Sequence, residues 1–294
     1  MMTVYIESQI KSDFEGYTFL STLYHKLERG IFENIFLDFS KNIWFDANLC
    51  AVLGAIINSC QKNYNTVEII GINPSVEQIF LKNDFLANFG GTTLFDNYDT
   101  TIKYSKNEKS DIQFIKEKIQ KVMRKPDFPQ LSKNVRVEML NSIFEIYTNA
   151  FMHTDCEFVY SCGQYYPDKE FPTLDLTIVD LGKTIKGNVN EFLGSNKSGI
   201  EAIDWAMIDS HTTKRKEDNI PGGLGFGIIK QFIKLNNGKM QILSADGFVR
   251  FEKDSVIEKR FIPPFPGTII TIEFNLNDES SYCFAYENPS EIEL

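Results

Sequence analysis

Pro221-Gly222-Gly223-Leu224-Gly225-Phe226-Gly227-Ile228-Ile229-Lys230 packs four glycines into six residues and runs directly into an apolar helical pattern carried by Ile228, Ile229, Phe232 and Ile233. Glycine is costly in a helix's first turn, so a purely structural account must explain why the cost is tolerated. A chemical account is available. Glycines let consecutive N–H groups point one way, and the helix N-terminus behind them adds partial positive charge, which suits the segment to cradling phosphates.

Working upstream, the long helical pattern over residues 131–153 contains Glu145-Ile-Tyr-Thr-Asn149-Ala-Phe-Met-His153. Residues four apart share a helix face, so Glu145, Asn149 and His153 project together, with Asn141 and Ser142 before them. Leu140, Ile143, Phe144, Tyr147, Ala150 and Phe151 have ordinary core spacing, and taken alone the polar stripe reads first as a solvated face of an amphipathic helix. Between these two segments, Leu174-Asp-Leu-Thr-Ile-Val-Asp180 alternates like a strand and ends on a carboxylate followed by Leu181-Gly182-Lys183. A carboxylate at a strand end can accept a hydrogen bond from an exocyclic amine, while a glycine turn lets the backbone approach a flat base closely. Alone, Asp-x-Gly is a common strand-to-turn pattern.

The composition fits a soluble globular chain, with 43% hydrophobic and 24% charged residues, and 294 residues is long for one core. The net charge of −10 leaves neither half with a basic surplus, so neither is a platform for nucleic acid. An acidic chain can still bind a polyphosphate where backbone N–H groups, a helix N-terminus and a metal ion offset the ligand's charge locally. Cys50, Cys60, Cys156, Cys162 and Cys283 are scattered in or beside apolar stretches without zinc spacing, and are expected to be reduced thiols. The N-terminus lacks a basic segment followed by an apolar one, and no window reaches the length of a membrane span. The expected location is cytoplasmic.

The first hundred residues alternate strand and helix patterns: strands over 3–7, 34–39 and 66–72, helices over 17–28, 46–61 and 75–81. Residues 92–109 are polar and turn-rich, with room for one short strand near 101–104. The predicted division is therefore a first α/β domain over 1–105 and a second over 106–294. In the second, helices are expected over 110–123, 131–153 and 224–235. Strands are expected on either side of the polar segment 163–171 and near 239–244, 248–252 and 268–274, and residues 182–223 read as irregular.

In order and spacing, the three segments of the second half resemble the GHKL superfamily of ATP-binding domains over about residues 130–276. Glu145 and Asn149 match its N box, Asp180 and Gly182 its first glycine box, and Gly223, Gly225 and Gly227 its second, with Leu224 and Phe226 between them. The resemblance implies a Bergerat-fold α/β sandwich binding ATP and Mg²⁺. Asn149 would hold the metal, Asp180 the adenine amino group, the second-box segment the phosphates, and Thr268, after Gly267, would support Asp180 and the adenine. Glu145 would be the general base. One departure stands out: the family's first box ends in a second glycine where this chain has Thr184, which implies altered backbone geometry there. Residues 183–222 would form a mobile lid, with Thr213 and Lys214 in its basic run able to reach the phosphates.

Residues 3–88 are similar to STAS domains, through Ile35-Phe-Leu-Asp38-Phe-Ser40, Trp44-Phe45-Asp46-Ala47-Asn48-Leu49 and Val67-Glu-Ile-Ile-Gly71-Ile-Asn73. In anti-sigma antagonists the residue after the match to Asp46 is a phosphorylated serine, and Ala47 has no hydroxyl, so this domain is expected to act by docking. Together the resemblances imply an ATP-dependent regulatory switch reset by slow hydrolysis. The alternative is a protein serine/threonine kinase resembling the anti-sigma kinases. A sensor histidine kinase fits less well, since His25 is the one histidine before the N box. The expected partners are ATP and a protein, a homodimer being one form of that contact, with neither nucleic acid nor a membrane.

Overall fold

Strand and helix alternate through the first ninety residues of the computed structural model, which describes residues 1–125, 127–153, 156–167, 170–208 and 225–288. The elements in chain order are β1 (Met2–Tyr5), β2 (Gln9–Ile10), α1 (Phe14–Leu27), β3 (Asn34–Asp38), β4 (Trp44–Phe45), α2 (Cys50–Lys62), β5 (Thr66–Ile70) and α3 (Pro74–Lys82). Local chemistry sets the helix starts: the Asp13 side chain accepts from the Gly16 N–H at 2.9 Å, and Asn73 caps α3 with Pro74 in its first turn. Strands β1, β3 and β5 form a parallel sheet in the order β1-β3-β5, and β2 pairs with β4.

The chain continues through β6 (Thr101–Asn107), α4 (Ile112–Val122), β7 (Gln130–Leu131), α5 (Lys133–His153), β8 (Val159–Tyr166), β9 (Thr173–Asp180), α6 (Ile185–Leu193), α7 (Gly199–Ala206), α8 (Gly225–Asn236), β10 (Lys239–Glu252), β11 (Ser255–Asn275) and β12 (Ser281–Tyr282). Five of these strands make an antiparallel sheet in the order β10-β11-β9-β8-β6. The described residues are thus α/β, built on a three-stranded and a five-stranded sheet with two short strand pairs beside them. Residue 105 falls inside β6, which pairs with β8, so the large sheet already begins at residue 101.

Three expectations need correction. Residues 185–193 and 199–206 are helical and packed on β10, so that part of the stretch read as irregular is a helical pair, while residues 209–222 of the expected lid lie outside the described residues. Ser198 and Glu201 form a reciprocal cap at the start of α7, and Lys186 pairs with Asp246 at 2.9 Å. The three late strands are two long ones, β10 and β11, joined in a hairpin. Prolines 263, 264 and 266 interrupt the pattern read from sequence, but the ladder jumps from Ala245↔Phe265 to Gly247↔Arg260, so Pro263 and Pro264 sit in an irregularity where no ladder N–H is needed. Finally, Leu131 belongs to β7, which pairs with β12, and α5 starts two residues later.

Both faces of the large sheet are covered, and β8 and β9 are buried almost end to end. On one face α5 lays Val135, Met139, Leu140, Ile143, Ile146, Tyr147 and Ala150, at helical spacing, against Leu174, Leu176 and Ile178 of β9, with Ile229, Phe232 and Ile233 of α8 alongside. On the other face, α1 and α2 lie between the two sheets. Helix α2 is buried from Cys50 to Ile57 because it has a sheet on either side. Its Gly54 is required by close approach, since a Cβ there would stand 2.4 Å from the Tyr104 hydroxyl of β6. No helix among the described residues is long and apolar enough to cross a membrane.

Candidate functional site at one end of the large sheet

Asp180 is the last residue of β9, with Val159, the first of β8, and Thr268 of β11 as its cross-strand partners. Thr268 in turn pairs with Ser244 of β10. Cross-strand partners share a face, so Asp180, Thr268 and Ser244 line the same side of the sheet as Leu176 and Ile178, the side that α5 and α8 cover. Asp180 and Thr268 are 5% and 6% exposed. Three polar side chains at the rim of an apolar layer mark this end as different from the rest.

The turn after Asp180 is pinned on both sides. The Gly182 N–H donates to Asp180 Oδ1 at 3.0 Å, orienting the carboxylate. Farther on, the Ile185 N–H donates to Ser244 Oγ at 2.9 Å, and Ser244 Oγ lies 2.9 Å from Thr268 Oγ1. Thr184, where the resemblance led us to expect glycine, has φ −68° and ψ 161° and caps α6 by accepting from the Gly187 N–H at 3.1 Å. No left-handed backbone is needed there, so a β-branched residue is unstrained and gains a cap. Lys183 is ion-paired with Glu191 of α6. Gly267 is set by space: a Cβ on it would lie 2.0 Å from the Asp180 carbonyl oxygen.

Chain direction brings the helices to the same end. Helix α5 finishes at His153 and the chain re-enters the sheet at Val159, beside Asp180, so Asn149 lies one turn before that junction. The Tyr147 hydroxyl bonds Ser161 of β8, and burial pushes that hydroxyl above the ordinary tyrosine range although the hydrogen bond works the other way. Asn149 Oδ1 is buried and has no hydrogen-bond partner among the described residues. Glu145 is half-buried one turn earlier on the same face.

Helix α8 ends at Asn236, just before β10 begins at Lys239 opposite Glu273, at the far end of the sheet. Twelve helical residues span about 18 Å, and Lys239 to Ser244 about 17 Å of strand. Running back along β10, α8 therefore starts level with Ser244, Thr268 and Asp180. Its first residues are Gly225, Phe226 and Gly227, with Phe226 packed against the helix-side core. The partial positive charge of that N-terminus faces the same end as the Asp180 carboxylate.

Of the residues singled out from sequence, the structure brings Asn149, Asp180, Gly182, Gly225, Phe226, Gly227 and Thr268 to this end, with Glu145 one helical turn back. Thr213, Lys214, Gly223 and Leu224 lie outside the described residues. Sequence reading missed Ser244, whose hydroxyl ties β10 to β11 and to the turn after Asp180, and which no motif signalled. At the small sheet, Asp46 accepts from the Ser12 N–H at 2.7 Å and from Trp44 Nε1 at 2.8 Å, while Ala47 is fully buried with its N–H 3.4 Å from the Tyr166 hydroxyl. Among the described residues no group of three or more His, Cys, Asp or Glu side chains converges as a metal cluster. Asn149 Oδ1, a buried amide oxygen without a hydrogen-bond partner among the described residues, is of the donor type that suits a hard cation as a single ligand.

In comparison with solved structures, the chain is similar to the histidine kinase domain from the Erythrobacter litoralis EL346 blue-light activated histidine kinase, at 14% identity and a TM-score of 0.29, over 90% of this chain and 95% of that one. No protein-family model and no curated protein sequence matches the chain.

Proposed function

We propose that this chain binds ATP with Mg²⁺ at the Asp180 end of the large sheet and uses the nucleotide to regulate how a protein partner, or its own N-terminal α/β unit, is held. The observation that carries the reading is the convergence there of a buried strand-end carboxylate, a helix N-terminus and the orphaned Oδ1 of Asn149. Asp180, held by the Gly182 N–H, accepts from the adenine amino group. Gly225 to Gly227 present N–H groups and the helix dipole to phosphate. Asn149 Oδ1 offers an oxygen to Mg²⁺, which when bound neutralises phosphate charge. Glu145, a turn behind Asn149, is the candidate general base, for a water in slow hydrolysis or for a protein hydroxyl if the chain is a serine/threonine kinase.

A regulatory role is supported by what covers the opposite face. Thr177 and Thr271, each three residues from Asp180 or Thr268 on the same strands, bond to Asn48 Nδ2 at 2.8 Å and the Tyr17 hydroxyl at 2.7 Å, and to each other at 2.8 Å. These contacts support a docking role for the N-terminal unit, with Ala47 buried beside the Tyr166 hydroxyl.

The test is calorimetric titration of ATP with and without Mg²⁺, on the parent and on Asp180→Asn, followed by a search for ADP and for phosphorylated protein. The substitution turns an acceptor toward a donor at the amine and costs about 1 to 3 kcal/mol, roughly a fivefold to 150-fold loss of affinity. Equal affinity in parent and variant excludes the assignment. Product identity then separates hydrolysis from transfer to a protein.

A further inference from the structure

Six residues back along β9 from Asp180, Leu174 pairs with Tyr165 of β8 at the opposite end of the strand, about 20 Å away. Between these two residues, β6, α4 and the segment before β6 lies a cavity of about 590 Å³. That volume falls within the range of small-molecule sites, about 300 to 1,000 Å³. Its walls are apolar where Leu94, Phe95, Ile102, Val122 and Leu174 face it, and Tyr165 adds an aromatic surface.

The charged lining is unbalanced, with four ammonium groups on Lys103, Lys118, Lys121 and Lys125 against the carboxylates of Asp96 and Asp99. Neither carboxylate is free for Lys118. Asp96 is occupied by the Thr101 N–H at 2.8 Å and the Thr101 hydroxyl at 3.0 Å, and Asp99 pairs with Lys121 at 3.3 Å and Lys125 at 3.6 Å. Lys103 is paired with Asp84 at 2.6 Å. Among the described residues, Lys118 alone of the four has no carboxylate partner. Its Nζ donates to the Lys103 carbonyl at 3.2 Å and lies 5.4 Å from the centroid of the Phe114 ring, leaving two N–H groups without a hydrogen-bond acceptor among the described residues. Burial holds this ammonium below the ordinary lysine range, Asp84 opposing the shift and Lys103 adding to it. A half-buried ammonium without a carboxylate partner, set at an apolar cavity wall, is a binding feature lacking its counter-ion.

We propose that this cavity binds a small molecule carrying one anionic headgroup, carboxylate or phosphate, on an apolar body, with the headgroup on Lys118 Nζ and the body against Val122, Tyr165 and Leu174. The site is separate from the nucleotide end and does not depend on that assignment. The probes are phenyl phosphate and phenylacetate, with benzyl alcohol as the neutral comparison, titrated calorimetrically into the full chain. One equivalent of at least one anion is expected to bind, at least about tenfold more tightly than the alcohol, as a charge-assisted contact requires. Preference between the two anions identifies the headgroup.

Lys118→Met is expected to lose at least about tenfold in affinity and Lys118→Arg to stay within a few fold, while saturating ATP leaves binding unchanged. A measurement on the parent chain guards against a misfolded variant: the bound anion should slow reductive methylation of Lys118, read by peptide mass spectrometry, relative to exposed Lys62. The proposal is overturned if neither anion binds, if the alcohol binds as well, if Lys118→Met binds like the parent, if ATP displaces the anion, or if Lys118 methylation is unprotected.

Discussion

Gly267→Ala is the sharpest single perturbation of the candidate site, because it adds one carbon and no chemistry. An added Cβ would stand 2.0 Å from the Asp180 carbonyl oxygen and 2.9 Å from both the Asp180 carbonyl carbon and Leu181 Cα, where real Cβ contacts essentially never fall under 3.0 Å. All three are backbone atoms, so no rotamer can relieve the clash, and β9 and β11 must separate locally by about 1 Å, a displacement that overpacking data price at about 1 to 3 kcal/mol. The movement falls on Asp180, whose carboxylate is also held by the Gly182 N–H. A hydrogen bond stretched by an ångström is no longer one, so ATP affinity should fall by about tenfold or more. Chemical denaturation with a paired ATP titration reads both effects. Gly30→Ala is the control: its nearest neighbour is the flexible Glu33 side chain at 3.3 Å, and it should change stability by no more than about 0.5 kcal/mol. If Gly267→Ala matches the parent in both stability and ATP affinity, the strand ends are not the rigid frame of the site.

Three further substitutions separate the roles. Glu145→Gln, nearly isosteric, should keep ATP affinity within a few fold while lowering any turnover by about 10²- to 10⁴-fold; turnover at the parent rate, measured as ADP or phosphoprotein formed, would place the base elsewhere. Asn149→Ala should weaken the Mg²⁺ dependence of ATP binding, with no tight Mg²⁺ binding in the nucleotide-free parent, and micromolar Mg²⁺ affinity without nucleotide in calorimetry would contradict the single-ligand role. Tyr17→Phe removes the 2.7 Å hydrogen bond to Thr271 between α1 and the large sheet, and should cost about 1 to 3 kcal/mol in urea unfolding; a change within error would mean that this network does not hold the two layers together.

How far this site is legible in sequence depends on which requirement acts at each position. Asp180, Gly225 and Gly227 are readable because they answer to backbone needs, a strand end and a helix start, and those leave residue types at set spacing. Residues 174–180 show the limit. Leu174, Leu176 and Ile178 face the helix-side core as their alternation predicts, but the same alternation casts Asp175 and Thr177 as solvent-facing, and both are buried. A polar residue on a strand says only that its partner is polar; here the partner of Thr177 is Asn48, 129 positions away, and no local pattern marks one as the other's counterpart. The helical pair inside the expected lid was missed for a related reason. Gly199 and Gly247 pack so closely that a Cβ on Gly199 would meet the Gly247 N–H nitrogen at 2.3 Å, which lets the first turn of α7 sit on an irregularity in β10. Each glycine alone reads as a break in its own segment, and only their contact across the fold turns two breaks into one docking point. This contact seats α7 against the strand that carries Ser244, whose hydroxyl meets Thr268 and the Ile185 N–H, so the helices following the Asp180 turn are packed into the frame of the candidate site.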